Sequence, residues 1–390
     1  MADLQDEAHA TGEVGDLDPP RAARATVAGD ERPDDAAAPE HEPDLPPDDG
    51  GPPPGASPRD RVRAVLARHP VADGHSGLLW ALGRLSWYDL ELGESALQTD
   101  IPRLREGAVG TLFWSLEVPG DFAGDRAVCA TLDLIDLAGS VVRDHPEGLW
   151  LARTSSEVAD ARAHGRIACL LGPASATALG NSLGALRALH QLGVRTLSLS
   201  GTRWAGEEGL SRFGEEVVRE MNRLGVIADL TGSADATVHR VMAVSRGPSL
   251  FSHSGARALT DHPDNASDEV LTALRTGRGL CMVPCAAAQT GDALRDVADH
   301  LDHVRRVAGP ECVGLAGGFD TDGPSAAGIA DPAAYPLLLG ELLERGWSDA
   351  ELALLTSENL QRVIRDADFT ARATQLRRAP STATIERLDG

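Results

Sequence analysis

Residues 181–231, NSLGALRALHQLGVRTLSLSGTRWAGEEGLSRFGEEVVREMNRLGVIADLT, decide the fold because they contain two consecutive helix–strand units. In the first unit, leucines recur at helical spacing over 183–192, Gly193 predicts the helix end, and the β-prone run RTLSLS follows. In the second unit, Ser211 predicts a helix start and Gly225 its end, before the apolar run GVIADLT. Short apolar runs between amphipathic helices are typical of buried parallel strands.

The same alternation continues along the chain from residue 58. Eight such runs separated by helical stretches predict an α/β fold, a (β/α)8 barrel, and a doubly wound open sheet is the alternative. In a barrel, functional residues lie at the C-terminal ends of the strands. The predicted strands span residues 70–76, 110–118, 166–172, 195–200, 225–231, 248–254, 279–285 and 312–318.

Composition excludes several classes of protein. The formal net charge of −23 predicts repulsion from nucleic acid and from anionic membrane surfaces, so we expect neither as a partner. All 36 basic residues are arginine, which excludes every mechanism that needs a P-loop lysine or a Schiff-base lysine. No apolar run reaches the ~18 residues of a membrane span, and the N-terminus has no apolar signal-peptide core. We therefore expect a cytoplasmic protein.

Residues 1–57 differ in composition from the rest. They contain 15 acidic residues, three arginines, ten prolines and no aromatic residue. Such a segment buries too little apolar surface to offset its ordering entropy, so we predict a disordered acidic tail. The predicted organisation is this tail, a barrel over residues 58–378 and a C-terminal tail over 379–390.

Motifs at the predicted strand ends carry a resemblance. The chain resembles the membrane (renal) dipeptidase family of binuclear zinc peptidases over roughly residues 60–370. The family fold is a (β/α)8 barrel, which agrees with the strand count. The collinear segments include DGHSGLLWAL from residue 73, GAVGTLFWSLEVP from 107, the stretch 181–200, GLSRFGEEVVREMNRLGVIADLTG from 209, FSHSGARALTDHPDN from 251 and VGLAGGFDTDG from 313.

The resemblance also implies which side chains would hold two zinc ions. Of six expected ligand positions, two keep histidine, His75 and His253. Because these two serve different metals in the family, each zinc would keep one protein ligand, whereas catalytic sites supply about three. We therefore expect no metal, with zinc bound only if substitute ligands exist. The vacated family positions are Gly77, Ala174, Gly232 and Gly318, together with Gly201, where the family has a histidine that stabilises the tetrahedral intermediate.

Substrate-binding groups change as well. The arginine that grips the substrate carboxylate in the family falls at Asp264, which reverses the charge. The polar groups left for a rebuilt site are listed by expected role. Catalytic candidates are His75, His253 and Asp320, and candidates for substrate binding are Arg203, Ser252, Asp264 and Asp322.

Three hypotheses of function follow. The first is a pseudoenzyme that binds a peptide or partner protein at the barrel mouth, as an accessory factor in peptide or specialised metabolism. The alternative is a dipeptidase-family hydrolase, or a metal-free tailoring enzyme, that acts on a small peptide-derived substrate with a rebuilt site. The third keeps zinc through substitute ligands and still cleaves dipeptides. A homodimer is expected from the resemblance alone.

Two further histidines, His300 and His303, lie three residues apart in DHLDHV. Their spacing places them on one helix face, where a metal could bind. We predict instead a solvated face on the outer ring of helices.

Overall fold

The eight apolar runs form the strands of a closed parallel barrel in the computed structural model, which describes residues 55–85, 87–93 and 96–390. The barrel strands are β1 (Val71–Ser76), β2 (Val109–Leu116), β4 (Ile167–Ser175), β5 (Thr196–Ser198), β8 (Ile227–Asp229), β9 (Ser249–Phe251), β10 (Leu280–Pro284) and β11 (Val313–Ala316). A short strand β3 (Leu149–Leu151) pairs with β4, and β6 (Ala205–Gly206) forms a small hairpin with β7 (Gly209–Leu210).

Closure of the sheet distinguishes the barrel from the open alternative. Strand β2 pairs with both β1 and β4, and β1 pairs with β11, so the eight strands form a ring without a free edge. The predicted (β/α)8 barrel is therefore confirmed, and the doubly wound sheet is excluded. Every residue of β1, β10 and β11 is buried, as expected for strands covered by helices outside and packed side chains inside.

Helices surround the ring. Their bounds are α1 (Pro58–Arg68), α2 (Leu78–Arg84), α3 (Ile101–Glu106), α4 (Asp125–Asp144), α5 (Ser155–Ala163), α6 (Leu183–Gln191), α7 (Arg212–Leu224), α8 (Asp235–Val244), α9 (Asp268–Gly277), α10 (Ala287–Thr290), α11 (Leu294–Ala308), α12 (Tyr335–Glu344), α13 (Asp349–Ala353), α14 (Asn359–Gln375) and α15 (Ile385–Asp389). Among the described residues, no helix is both long and apolar enough to cross a membrane.

Helix α7 shows how the local sequence sets these bounds. The Ser211 side chain accepts a hydrogen bond from the Gly214 N–H, which caps the first turn. At the other end Gly225 adopts a left-handed conformation (φ 79°), which other residues adopt at a steric cost. Both predicted ends of this helix are therefore found.

Helix α11 differs from its prediction. His300 and His303 are buried rather than solvated. The His300 ring accepts a hydrogen bond from the Ala256 N–H at 2.9 Å, and His303 Nε2 lies 2.7 Å from an Asp268 carboxylate oxygen. The spacing predicted the shared helix face correctly, but the loop after β9 and helix α9 cover that face. These histidines connect α11 to its neighbours.

The two ends of the chain have different outcomes. Residues 1–54, most of the predicted acidic tail, lie outside the described residues. In the predicted C-terminal tail, helix α15 buries Ile385. The Asp389 carboxylate of α15 accepts hydrogen bonds from the Ser211 hydroxyl and the Phe213 N–H. This end of the chain therefore caps α7.

A buried ion pair gives a test of the fold. Arg195 and Asp368 are 2.7 Å apart and nearly inaccessible, so Asp368→Asn would leave the Arg195 guanidinium without its counter-charge. We expect the free energy of unfolding to fall by about 3–5 kcal/mol in a urea titration. The control is Asp349→Asn, because the Arg61–Asp349 pair is about one-third exposed. This substitution should lower the free energy of unfolding by less than about 1 kcal/mol. Equal losses in the two variants would contradict the expectation.

Candidate active site

Three side chains from separate strands converge at the mouth of the barrel. His75 lies near the end of β1, Glu117 directly follows Leu116 at the end of β2, and His253 follows Phe251 at the end of β9. One potential ligand atom from each lies within 4.8 Å of the others. All three lie at the C-terminal ends of parallel strands, so closure of the barrel brings together residues that are up to 178 positions apart in the sequence.

The His75 ring is buried, with 6% of the residue exposed. Its Nε2 lies 3.3 Å from a Glu117 carboxylate oxygen, and its ring centroid is 4.0 Å from that of His253. Its Nδ1 has no hydrogen-bond partner among the described residues. Burial lowers the pKa of His75 to about 4, so the ring is neutral at pH 7 and can offer a lone pair to a cation.

The orientation of His253 is set by a hydrogen-bonded chain. The Ser252 hydroxyl donates to the Asp229 carboxylate at 2.6 Å and lies 2.8 Å from His253 Nδ1. Since its proton is directed to Asp229, the Ser252 oxygen accepts the proton of His253 Nδ1, which leaves the lone pair on Nε2. Burial, together with the neighbouring His75, lowers the pKa of His253. Such an outer partner is what orients metal-binding histidines in proteins.

Asp229 anchors this chain from inside the barrel. It is fully buried and accepts hydrogen bonds from the backbone N–H groups of Thr231 and Ser252 at 3.1 and 3.0 Å. The Thr231 hydroxyl adds a third donor at 2.9 Å, beside the Ser252 hydroxyl. These donors satisfy the carboxylate, so it serves as a fixed acceptor behind His253.

Sequence reasoning missed Glu117. Its position was within the resembling segment GAVGTLFWSLEVP, but the resemblance assigns no ligand there. A carboxylate directly after a predicted barrel strand was the available signal. Burial raises the pKa of Glu117 to about 7. Absent a cation, this carboxyl group is therefore partly protonated at neutral pH, and a cation would favour its charged form.

The two-zinc centre implied by the resemblance does not fit these residues. A side chain at Gly77 would place its Cβ 2.3 Å from the Asp320 carbonyl oxygen, so no carboxylate can stand there. Ala174, at the position of the shared carboxylate, is fully buried and has no ligand atom. At Gly232 a Cβ would lie 2.8 Å from an Asp264 carboxylate oxygen, so Asp264 occupies that space.

At the remaining vacated positions, neighbouring atoms lie at ordinary van der Waals distance from the place of a Cβ. At Gly201 a Cβ would meet nothing closer than 3.9 Å, and at Gly318 nothing closer than 3.8 Å. Both glycines adopt left-handed backbone conformations. A side chain at either position would be strained by the backbone conformation and not by its neighbours.

The other predicted site residues divide into three that lie outside the histidine cluster and two that are at the mouth. The Asp320 carboxylate accepts the Gln98 N–H at 2.7 Å, and it thereby holds the loop before α3. Asp322 is exposed in the following turn. Arg203 is exposed, and its charge acts on Glu386 of α15. Ser252 belongs to the chain behind His253 and Asp264 lies over Gly232, so two of the four predicted substrate-binding residues are at the mouth.

The donor set suits a single cation. Two neutral imidazoles and one carboxylate are the ligands of one class of catalytic zinc sites, which keep a further position for water or substrate. The histidine chain through Ser252 and the partnerless Nδ1 of His75 agree with this assignment. The residues present thus fit one metal ion and not the two of the family pattern.

Comparison with known proteins identifies the relationship. The family model described as membrane dipeptidase (peptidase family M19) matches residues 59–378. Dipeptidase 3 of Macaca fascicularis is 37% identical over 333 residues, 80% of this chain and 67% of that protein. Dipeptidase verJ of Clonostachys rogersoniana is 35% identical over 330 residues, 77% of this chain and 84% of that protein.

Solved structures agree on the fold. A metallopeptidase from Rhodobacter sphaeroides, liganded with a phosphinate mimic of L-Ala-D-Ala, superposes with a TM-score of 0.71 at 24% identity, over 77% of this chain and 99% of that chain. The probable dipeptidase PvdM from Pseudomonas aeruginosa superposes with a TM-score of 0.70 at 19% identity, over 80% of this chain and 99% of that chain. From the match over 59–378 and the relatives above 30% identity, the chain belongs to the membrane dipeptidase family.

Proposed function

We propose that this protein is a metal-dependent hydrolase that cleaves an amide bond in a small peptide-derived substrate at the barrel mouth. The observation that carries the proposal is the convergence of His75, Glu117 and His253 within 4.8 Å. Relatives named dipeptidases at 35–37% identity support the hydrolase over the pseudoenzyme. The site differs from the two-metal family pattern, and the proposal corresponds to the third hypothesis, in which zinc is kept through a substitute ligand, here Glu117.

Each residue has a role in this proposal. His75, Glu117 and His253 would hold one zinc ion, which when bound polarises a carbonyl and lowers the pKa of water. Ser252 and Asp229 keep His253 Nε2 directed at the cluster. Burial keeps both imidazoles unprotonated at neutral pH, so no proton competes for their lone pairs.

A binding protein is the second candidate, and one observation favours it. Four of the six ligand positions that the resemblance implies, Gly77, Ala174, Gly232 and Gly318, carry no ligand side chain, and a protein that only binds a peptide does not need one there. A peptide that raises the thermal unfolding temperature without being cleaved would identify this function. A cytoplasmic location, a peptide or protein partner and a homodimer all stay predictions.

Metal content is the first test. We expect the tag-free protein, dialysed after zinc loading, to retain about one zinc ion per chain by elemental analysis, because three ligands converge. Cobalt replacement should give the visible absorption of a low-coordinate site. Glu117→Gln should lose the metal and keep the fold, whereas the exposed control Glu147→Gln should keep both. Two ions per chain, or none, would disprove the single-metal site.

Turnover is the second test. The zinc-loaded protein should hydrolyse members of a panel of dipeptides and dipeptide amides, followed by mass spectrometry. His253→Ala should abolish turnover, and Ser252→Ala should weaken metal affinity or activity about 10–100-fold, because His253 loses its orienting partner. A folded, zinc-loaded protein that cleaves no member of the panel would favour the binding protein instead.

A further inference from the structure

The carboxylate of Asp264 is the charge at the mouth that the proposed metal site leaves unused. It lies in the loop after β9, and one of its oxygens is 2.8 Å from the place that a Gly232 Cβ would occupy. Gly232 has a left-handed conformation (φ 68°) and no side chain, so the Asp264 carboxylate can occupy the space above it at the mouth. The side chain is about one-third exposed, so a ligand can reach it.

Asp264 is also close enough to the cluster to act on it. Its charge raises the pKa values of His75, His253 and Glu117, although burial is the largest influence on each. These three groups belong to three different strands. A charge felt by all of them belongs to the mouth itself and not to the outer surface.

The carboxylate has little compensation from the protein. Beside it lies His262, whose Nδ1 is 3.7 Å from one of the Asp264 oxygens and accepts the Asp264 backbone N–H. Among the described residues, no arginine pairs with Glu117, Asp229 or Asp264, and the chain has no lysine. Asp229 is satisfied by buried donors and Glu117 faces the metal position, so Asp264 is the carboxylate of these three that a ligand can still neutralise.

We propose that Asp264 forms a subsite for a protonated amine of the substrate, and that this site disfavours a free carboxylate there. The inference rests on the proposed function, since the same mouth holds the cluster. A cationic amine beside Asp264 gains a charge-assisted hydrogen bond and neutralises the Asp264 charge. A carboxylate at the same place meets a like charge. The substrate class is therefore a small amide that carries an amine.

The test uses binding, so it does not depend on turnover. Three five-carbon probes without an amide bond are titrated into the zinc-loaded full chain by ligand-observed NMR: pentylamine, pentanol and pentanoate. Pentylamine should bind about five-fold more tightly than pentanol, as for a partly exposed ion pair. Pentanoate, whose carboxylate can also reach the zinc, should bind more weakly to the unchanged protein than to Asp264→Asn. Raising the salt concentration to about 1 M should move the ratio of the two affinities towards one, because salt screens the charge of Asp264.

Matched variants assign the preference to one residue. Asp264→Asn should bring the ratio of the affinities for pentylamine and pentanol to about one. Asp261 is an exposed acid of the same loop, so Asp261→Asn makes the same change in net charge and should leave that ratio unchanged. Gly232→Ala should also reduce the ratio, because the added Cβ displaces the Asp264 carboxylate.

Equal affinities for amine and alcohol, an unchanged ratio in Asp264→Asn, or no binding of pentylamine would overturn the subsite. The two proposals fail separately. A preserved amine preference without hydrolysis of any panel member rejects the hydrolase and keeps the subsite. Hydrolysis with no effect of Asp264→Asn on amine binding rejects the subsite alone.

Discussion

The geometry of the mouth depends on buried carboxylates that fasten the strand ends, and Asp73 at the closing seam is the first of them. It is fully buried and accepts hydrogen bonds from the Gly317 N–H at 2.7 Å, the His75 N–H at 3.1 Å and the Tyr335 hydroxyl at 2.7 Å. These bonds join β1 to β11 and α12, where the ring closes. Burial raises the pKa of Asp73 to about 6, although the same three hydrogen bonds stabilise the charged form and oppose that rise.

Asp229 plays the equivalent part on the other side of the ring. It holds the ends of β8 and β9 together through Thr231 and Ser252, and Ser252 then fixes His253. Each of the two site histidines is thus held by a buried carboxylate that accepts several hydrogen bonds. Asp73 binds the backbone of His75, and Asp229 acts on His253 through Ser252. A low-dielectric interior makes unpaired polar groups costly, so these bonds fix the strand ends tightly. Metal binding needs such fixed ligands, because misplaced donors lose affinity.

The chain has the family barrel, but its mouth lacks most of the ligand side chains that the resemblance implies. Carbonyl and carboxylate oxygens of Asp320 and Asp264 fill the space beside Gly77 and Gly232. Glu117 contributes a carboxylate from β2, a strand at which the family pattern places no ligand. The barrel allows such differences because every strand end faces the same mouth, so a ligand absent from one strand can be supplied by another.

The sequence by itself determined the eight strands, their order, the ends of α7 and the family, since apolar periodicity, capping residues and collinear motifs are local signals. It also placed His75 and His253 at strand ends. Only the tertiary structure decided that Glu117 joins them, that Asp264 covers Gly232 and that His300 is buried. Those facts depend on which strand ends and helix faces meet after closure, and contacts between distant residues leave no trace in local patterns.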